Sequence, residues 1–160
     1  MTFKLKKMNK KMIGIHLASD HAGFDLKTFI QAGLKNEHIG RIHTIFDHGT
    51  FSKDSVDYPD FIHRACNSIK NIDLDIGIFI CGSGNGVAMT ANKYPHIRAA
   101  LCWTPQIARF ARQHNDANVL CLPARFITFD EALEIVKEFL VTSFEGGRHE
   151  IRVKKIPIST

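Results

Sequence analysis

The chain has 160 residues, 44% hydrophobic and 23% charged, the balance of one globular domain with its own core. Its formal charge of +5 raises nucleic acid as a partner, but Lys4, Lys6, Lys7, Lys10 and Lys11 lie in an acid-free opening segment, and the rest carries 16 Lys and Arg against 16 Asp and Glu. The excess belongs to a leader, residues 1–11, read as a solvated arm; with no run near the ~18 apolar residues of a membrane span and no apolar signal core after the lysines, residues 12–160 are expected to be one cytoplasmic domain with neither membrane nor nucleic acid as partner.

Ile13-Gly14-Ile15-His16-Leu17-Ala18 reads as a first strand. Gly23 to Glu37 reads as a helix, with Phe24, Leu26, Phe29, Ile30 and Leu34 on roughly one face. A second strand is expected over 42–46. The polar loop His48 to Asp57 leads to Pro59, which suits the first turn of a helix running to about Ile72. Asp75-Ile76-Gly77-Ile78-Phe79-Ile80 is nearly continuous in apolar residues, as a strand covered on both faces is. A glycine-rich loop follows, then a helix over 87–93. A fourth strand is expected over 98–103, a helix from Pro105 to His114, and a fifth strand over 118–122. Thr128 with Glu131 three residues later is a capping box for a helix ending near Phe144. Residues 145–160 are polar and basic, without a strong period.

Five strands alternating with five helices predict an α/β protein, a three-layer α/β/α Rossmann-like fold around a five-stranded parallel sheet. Such sheets bind ligands at the carboxyl ends of their strands, near a topological switch point. The residues that matter most therefore follow the strands: Ser19-Asp20-His21, Asp47-His48, Cys81-Gly82-Ser83, Trp103-Thr104 and Pro123-Ala124-Arg125.

The loop Cys81-Gly82-Ser83-Gly84-Asn85-Gly86 is the sharpest feature. Its glycines let the backbone approach a ligand closely, and successive N–H groups there can hold an anion. The spacing is neither a dinucleotide fingerprint nor a P-loop. A thiol at a strand–helix junction is a usable base or nucleophile. Without a ligand, the same residues are a tight turn and a buried thiol. Asp20-His21 and His114-Asn115-Asp116 add acid and imidazole groups, although histidines are frequent in this chain. Arg148 and Arg152, four residues apart, share one side of any helical turn and suit a phosphate, or else a solvated basic tail. Cys66, Cys81, Cys102 and Cys121 form no C-x-x-C pair and no zinc spacing. Free thiols in a reducing compartment are the simplest account.

Six segments, in order, resemble the ribose-5-phosphate isomerase B family: Ala18-Ser19-Asp20-His21-Ala22-Gly23-Phe24, Asp57-Tyr58-Pro59, Ile80-Cys81-Gly82-Ser83-Gly84-Asn85-Gly86, Ala91-Asn92-Lys93, Arg112-Gln113-His114-Asn115-Asp116-Ala117-Asn118-Val119-Leu120 and Phe144-Glu145-Gly146-Gly147-Arg148-His149. The wider family includes allose-6-phosphate and galactose-6-phosphate isomerases, and the resemblance runs from about Met12 to Val153. It implies interconversion of ribose 5-phosphate and ribulose 5-phosphate through an enediolate, a step of the non-oxidative pentose phosphate pathway, without metal or cofactor. It also implies roles. Cys81 is the base between C1 and C2. Ser83 and the loop N–H groups of Gly82, Gly84, Asn85 and Gly86 hold the enediolate oxygen. His114 opens the furanose ring with Asn115 beside it, and Asp20 contacts sugar hydroxyls. His21, Arg148 and Arg152 take the phosphate end, and Arg125 is a further ligand-contacting arginine. A homodimer with shared sites, or a tetramer built from it, is implied as well. Some members lack the cysteine and use a glutamate directly after the glycine loop. Here that position is Val87, so the chain resembles the cysteine-base type. Other readings are an isomerase of six-carbon sugar phosphates, a non-catalytic phosphosugar binder with no need of Cys81, Ser83 and His114, and a thiol hydrolase using Cys81 and His114.

Overall fold

The apolar runs and amphipathic stretches become β1 (Ile13–Ser19), α1 (Phe24–Asn36), β2 (Ile42–Asp47), α2 (Tyr58–Ser68), β3 (Asp75–Cys81), α3 (Asn85–Ala91), β4 (Ala99–Leu101), α4 (Pro105–Asn115), β5 (Val119–Pro123), α5 (Phe129–Val141) and α6 (Arg148–Lys154). The computed structural model describes residues 13–36 and 42–158. The Lys-rich leader and the expected end of the first helix at Glu37 lie outside them.

Local signals act as the sequence predicts. Pro59 sits in the first turn of α2. Thr128 Oγ1 accepts from the N–H of Glu131, and the Glu131 carboxylate accepts from the Thr128 N–H, closing the capping box at the start of α5. Two expectations need correction. There are six helices among the described residues rather than five, because the segment expected to lack a period contains α6. The strand expected over 98–103 is shorter, Ala99–Leu101, and before it the Arg98 N–H donates to the Asn118 side chain at 2.7 Å rather than to a neighbouring strand.

All strand pairs are parallel, in the order β2-β1-β3-β5-β4. The twofold period of β3 divides the core. Ile76, Ile78 and Ile80 face Leu26, Ile30, Ala108, Ile135 and Phe139 of α1, α4 and α5. Phe79 and Cys81 face Ile62, Ala65, Val87 and Ala91 of α2 and α3. The sheet is thus covered on both faces, which is why β3 reads as an unbroken apolar run. Among the described residues, no helix is long and apolar enough to cross a membrane.

Candidate active site

From β1 the chain moves outward to β2, then returns across the sheet to place β3 on the other side of β1. The carboxyl ends of β1 and β3 therefore flank a switch point, where a crevice must open. A cavity of about 630 Å³ lies there, within the ordinary range for a small-molecule site. It gathers Asp20 and His21 after β1, Cys81, Gly82, Ser83 and Gly86 around the end of β3, and Arg125 after β5.

Each group is held by its own element. Cys81 closes β3, and its carbonyl accepts from Ala124 N–H at 2.9 Å. Gly82 O accepts from Arg125 N–H at 3.0 Å, so the loop after β5 is tied to the loop after β3. The Arg125 side chain lies over Gly82 and, among the described residues, makes no ion pair. One Asp20 oxygen accepts from Gly23 N–H at 3.0 Å, turning the chain into α1. Val56 N–H donates to His21 Nδ1 at 3.2 Å. A neutral His21 therefore carries its proton on Nε2, a donor suited to an anionic oxygen. Gly84 adopts φ 75°, the left-handed turn that aims the loop into α3. The N–H groups of Gly82, Ser83 and Gly84 make no backbone hydrogen bond among the described residues.

Burial is common to the four thiols. It pushes Cys66 and Cys102 up to about 12, and raises Cys121 far above the ordinary thiol value. Those three are apolar fillers, whereas Cys81 lines the cavity. Val87 is fully buried in the core beside α2.

The other expected residues lie elsewhere. Each helix returns the chain to the amino end of the next strand. His114 and Asn115, at the end of α4 just before β5, are therefore at the opposite edge of the sheet from Cys81. α6 packs against α4, so Arg148 and Arg152 are at that far edge too. His114 stacks on His149, with ring centroids 4.2 Å apart and planes 8° apart, and its Nε2 is 3.7 Å from Glu145 Oε2. These three bring ligand-type atoms within 4.8 Å of one another. However, the lone pairs of parallel rings point side by side rather than toward one ion, so the geometry suits stacking better than coordination. Asp116 does structural work, binding Arg98 and Arg112 across the end of α4. Gly84 and Asn85 shape the loop without lining the cavity.

Sequence reasoning missed the wall opposite, Ser55, Val56, Asp57 and Tyr58, together with Phe126. Asp57 begins α2 yet spends no side-chain hydrogen bond on capping it. A Cβ on Gly86 would overlap the Tyr58 ring. The Asp57-Tyr58-Pro59 segment was the available signal for this wall.

Comparison with known proteins shows the family of the chain. The Ribose/Galactose Isomerase family model matches residues 15–156. The chain belongs to this family. It is 45% identical over 144 residues to a probable ribose-5-phosphate isomerase B of Mycoplasma genitalium, covering 89% of this chain and 92% of that one. It is 39% identical over 142 residues to ribose-5-phosphate isomerase B of Escherichia coli, covering 89% and 93%. Two solved family structures superpose closely. That of a ribose 5-phosphate isomerase from Thermotoga maritima has a TM-score of 0.84 at 48% identity, over 91% of this chain and 97% of that one. That of ribose-5-phosphate isomerase B from Mycoplasma genitalium, with bound ribulose-5-phosphate, has a TM-score of 0.85 at 44% identity, over 91% and 95%.

Proposed function

We propose that this family member interconverts ribose 5-phosphate and ribulose 5-phosphate through an enediolate, with Cys81 as the base. The observation that carries this reading is the switch-point cavity, where one thiol, a carboxylate, an imidazole, a guanidinium and a loop of N–H donors meet. The proton on C2 of the open-chain aldose is weakly acidic. It leaves only if the charge developing on the neighbouring oxygen meets donors already in place. Ser83 and the N–H groups of Gly82 and Gly84 are such donors, fixed by a turn that needs no rearrangement. Cys81 takes the proton from C2 and returns it to C1 while the O2 hydroxyl proton passes to O1, so the carbonyl moves from C1 to C2 with no external oxidant or reductant.

The remaining steps need groups from the other sheet edge. His114 opens the furanose, and Arg148 and Arg152 join His21 in holding the phosphate. Binding energy from that non-reacting group then orients C1 and C2. One chain cannot bring both edges to one substrate, which supports a homodimer whose sites take Cys81 from one protomer and His114 from its partner. The same half-sites supply the ligand contacts of Asp20, Arg125 and Asn115.

The test is isomerisation in deuterated water. Enzyme-dependent deuterium incorporation at C1 or C2 of the sugar is expected. Cys81→Ala should fold, bind ribose 5-phosphate and neither turn over nor exchange. Near-normal turnover by that variant would remove Cys81 as the base.

A further inference from the structure

His149 has no part in that scheme, yet it is the one buried side chain of α6, at 4% exposure. Gly146 and Gly147, at φ 69° and 55°, turn the C-terminal segment back over the end of α4. Glu145 N–H donates to Gln113 O at 3.0 Å, which anchors this return beside His114. The His149 ring then lies on the His114 ring. Phe110, one turn earlier on α4, also stacks on His114, with centroids 5.0 Å apart and planes 20° apart. A ring of its own helix and a ring of α6 thus both stack on the imidazole, whose Nε2 lies 3.7 Å from Glu145 Oε2. Arg148 Nε donates to His149 Nε2 at 3.4 Å, so the His149 proton is on Nδ1. Burial, with His114 and then Arg148 beside it, lowers the His149 pKa, which favours the neutral ring.

We propose that His149 is a positioning residue for furanose opening: its ring fixes the plane of His114, and its Nε2 sets Arg148 relative to that plane. This rests on the reading of His114 as ring opener and Arg148 as phosphate ligand. The substrate gives the reason for such a coupling. The phosphate is joined through C5 to C4, and C4 carries the ring oxygen. The distance from phosphate to the breaking C1–O4 bond is therefore nearly fixed, and the distance from guanidinium to imidazole must match it. In the step itself, the imidazole edge accepts the O1 proton. The C1–O4 bond breaks with its electron pair going to O4, O4 receives a proton, and C1 becomes the aldehyde. A ring opener free to rotate loses this alignment, and a misplacement of about 1 Å costs roughly 100-fold in rate.

Ribulose 5-phosphate is acyclic and needs no opening, so the two directions separate positioning from folding and from the proton transfer at C2. The experiment compares kcat from each substrate for wild type, His149→Ala, His149→Phe and His114→Ala. For His149→Ala, kcat from ribose 5-phosphate should fall about tenfold or more relative to kcat from ribulose 5-phosphate. His149→Phe restores the stack without the acceptor. It should recover most of kcat from ribose 5-phosphate while KM stays raised, because Arg148 has lost its partner; it also serves if His149→Ala does not fold. Equal loss in both directions, or no loss, in a folded His149 variant overturns the inference while leaving the isomerase reading intact. If His114→Ala itself spares the ribose direction, the ring-opening assignment fails, and the inference falls with it.

Discussion

Gly84→Ala tests whether the turn after β3 is built by glycine's conformational freedom. Gly84 has φ 75° and ψ −13°. A side chain there costs about 1–2 kcal/mol from the left-handed conformation alone. The added Cβ would also overlap Leu101 Cδ1 and sit 3.1 Å from Leu122 C and 3.2 Å from Pro123 N. Leu101 can rotate, but the latter two atoms are backbone of β5, the strand paired with β3. Overpacking of this kind costs about 1–3 kcal/mol more. The total, about 2–5 kcal/mol, is a large share of a typical domain's stability. The assay is urea unfolding of Gly84→Ala beside Gly82→Ala. At Gly82 the nearest atoms to a Cβ are side-chain atoms of Arg125, at 3.3 Å, so that substitution should cost clearly less. Thermal midpoints should follow, with a fall of roughly 5–20 °C for Gly84→Ala. Because the turn also aims the loop N–H groups, kcat should drop more than KM rises. A Gly84→Ala unfolding free energy within about 0.5 kcal/mol of wild type, the range of an ordinary surface change, would refute the reasoning.

Two further outcomes are expected. Cys81→Ala and His114→Ala, each inactive alone on ribose 5-phosphate, should regain activity on that substrate when unfolded together and refolded. The mixed dimer has one intact site, so random pairing yields about a quarter of wild-type activity; recovery of none would refute a site shared between protomers. The second concerns pH. Burial lowers the pKa of His16 against the pull of Asp75, and lowers that of His48 beside it. The unfolded chain therefore takes up these protons first. Stability is full above the ordinary value of 6.5 and declines as pH falls toward the lowered folded values. Urea midpoints of wild type should fall over this range, and those of a double His16→Gln, His48→Gln variant should fall less. Equal slopes would count against the burial argument.

The sequence by itself determined the elements whose causes are local. The apolar run of β3, Pro59 in the first turn of α2, the Thr128–Glu131 box and the Cys81 loop all declare themselves within a few residues, because strand burial, ring geometry and capping act at that range. α6 escaped notice because it is 7 residues long and buries a single side chain, His149. So short a helix has no repeat to read, and its reason for existing is a stack on α4. Likewise, Val56 and Tyr58 belong to the cavity only because α2 packs beside β1 and α3. Strand order was decided by the tertiary structure alone, since any order of parallel strands satisfies the same apolar pattern. That order put Cys81 with Asp20, His21 and Arg125, whereas the return of α4 to the amino end of β5, with α6 packed on it, puts His114, Arg148 and Arg152 at the other end of the sheet. A motif list places all seven in one site. The alternating direction of strands and helices separates them within one chain, which is the physical basis for the proposed site shared with a second copy.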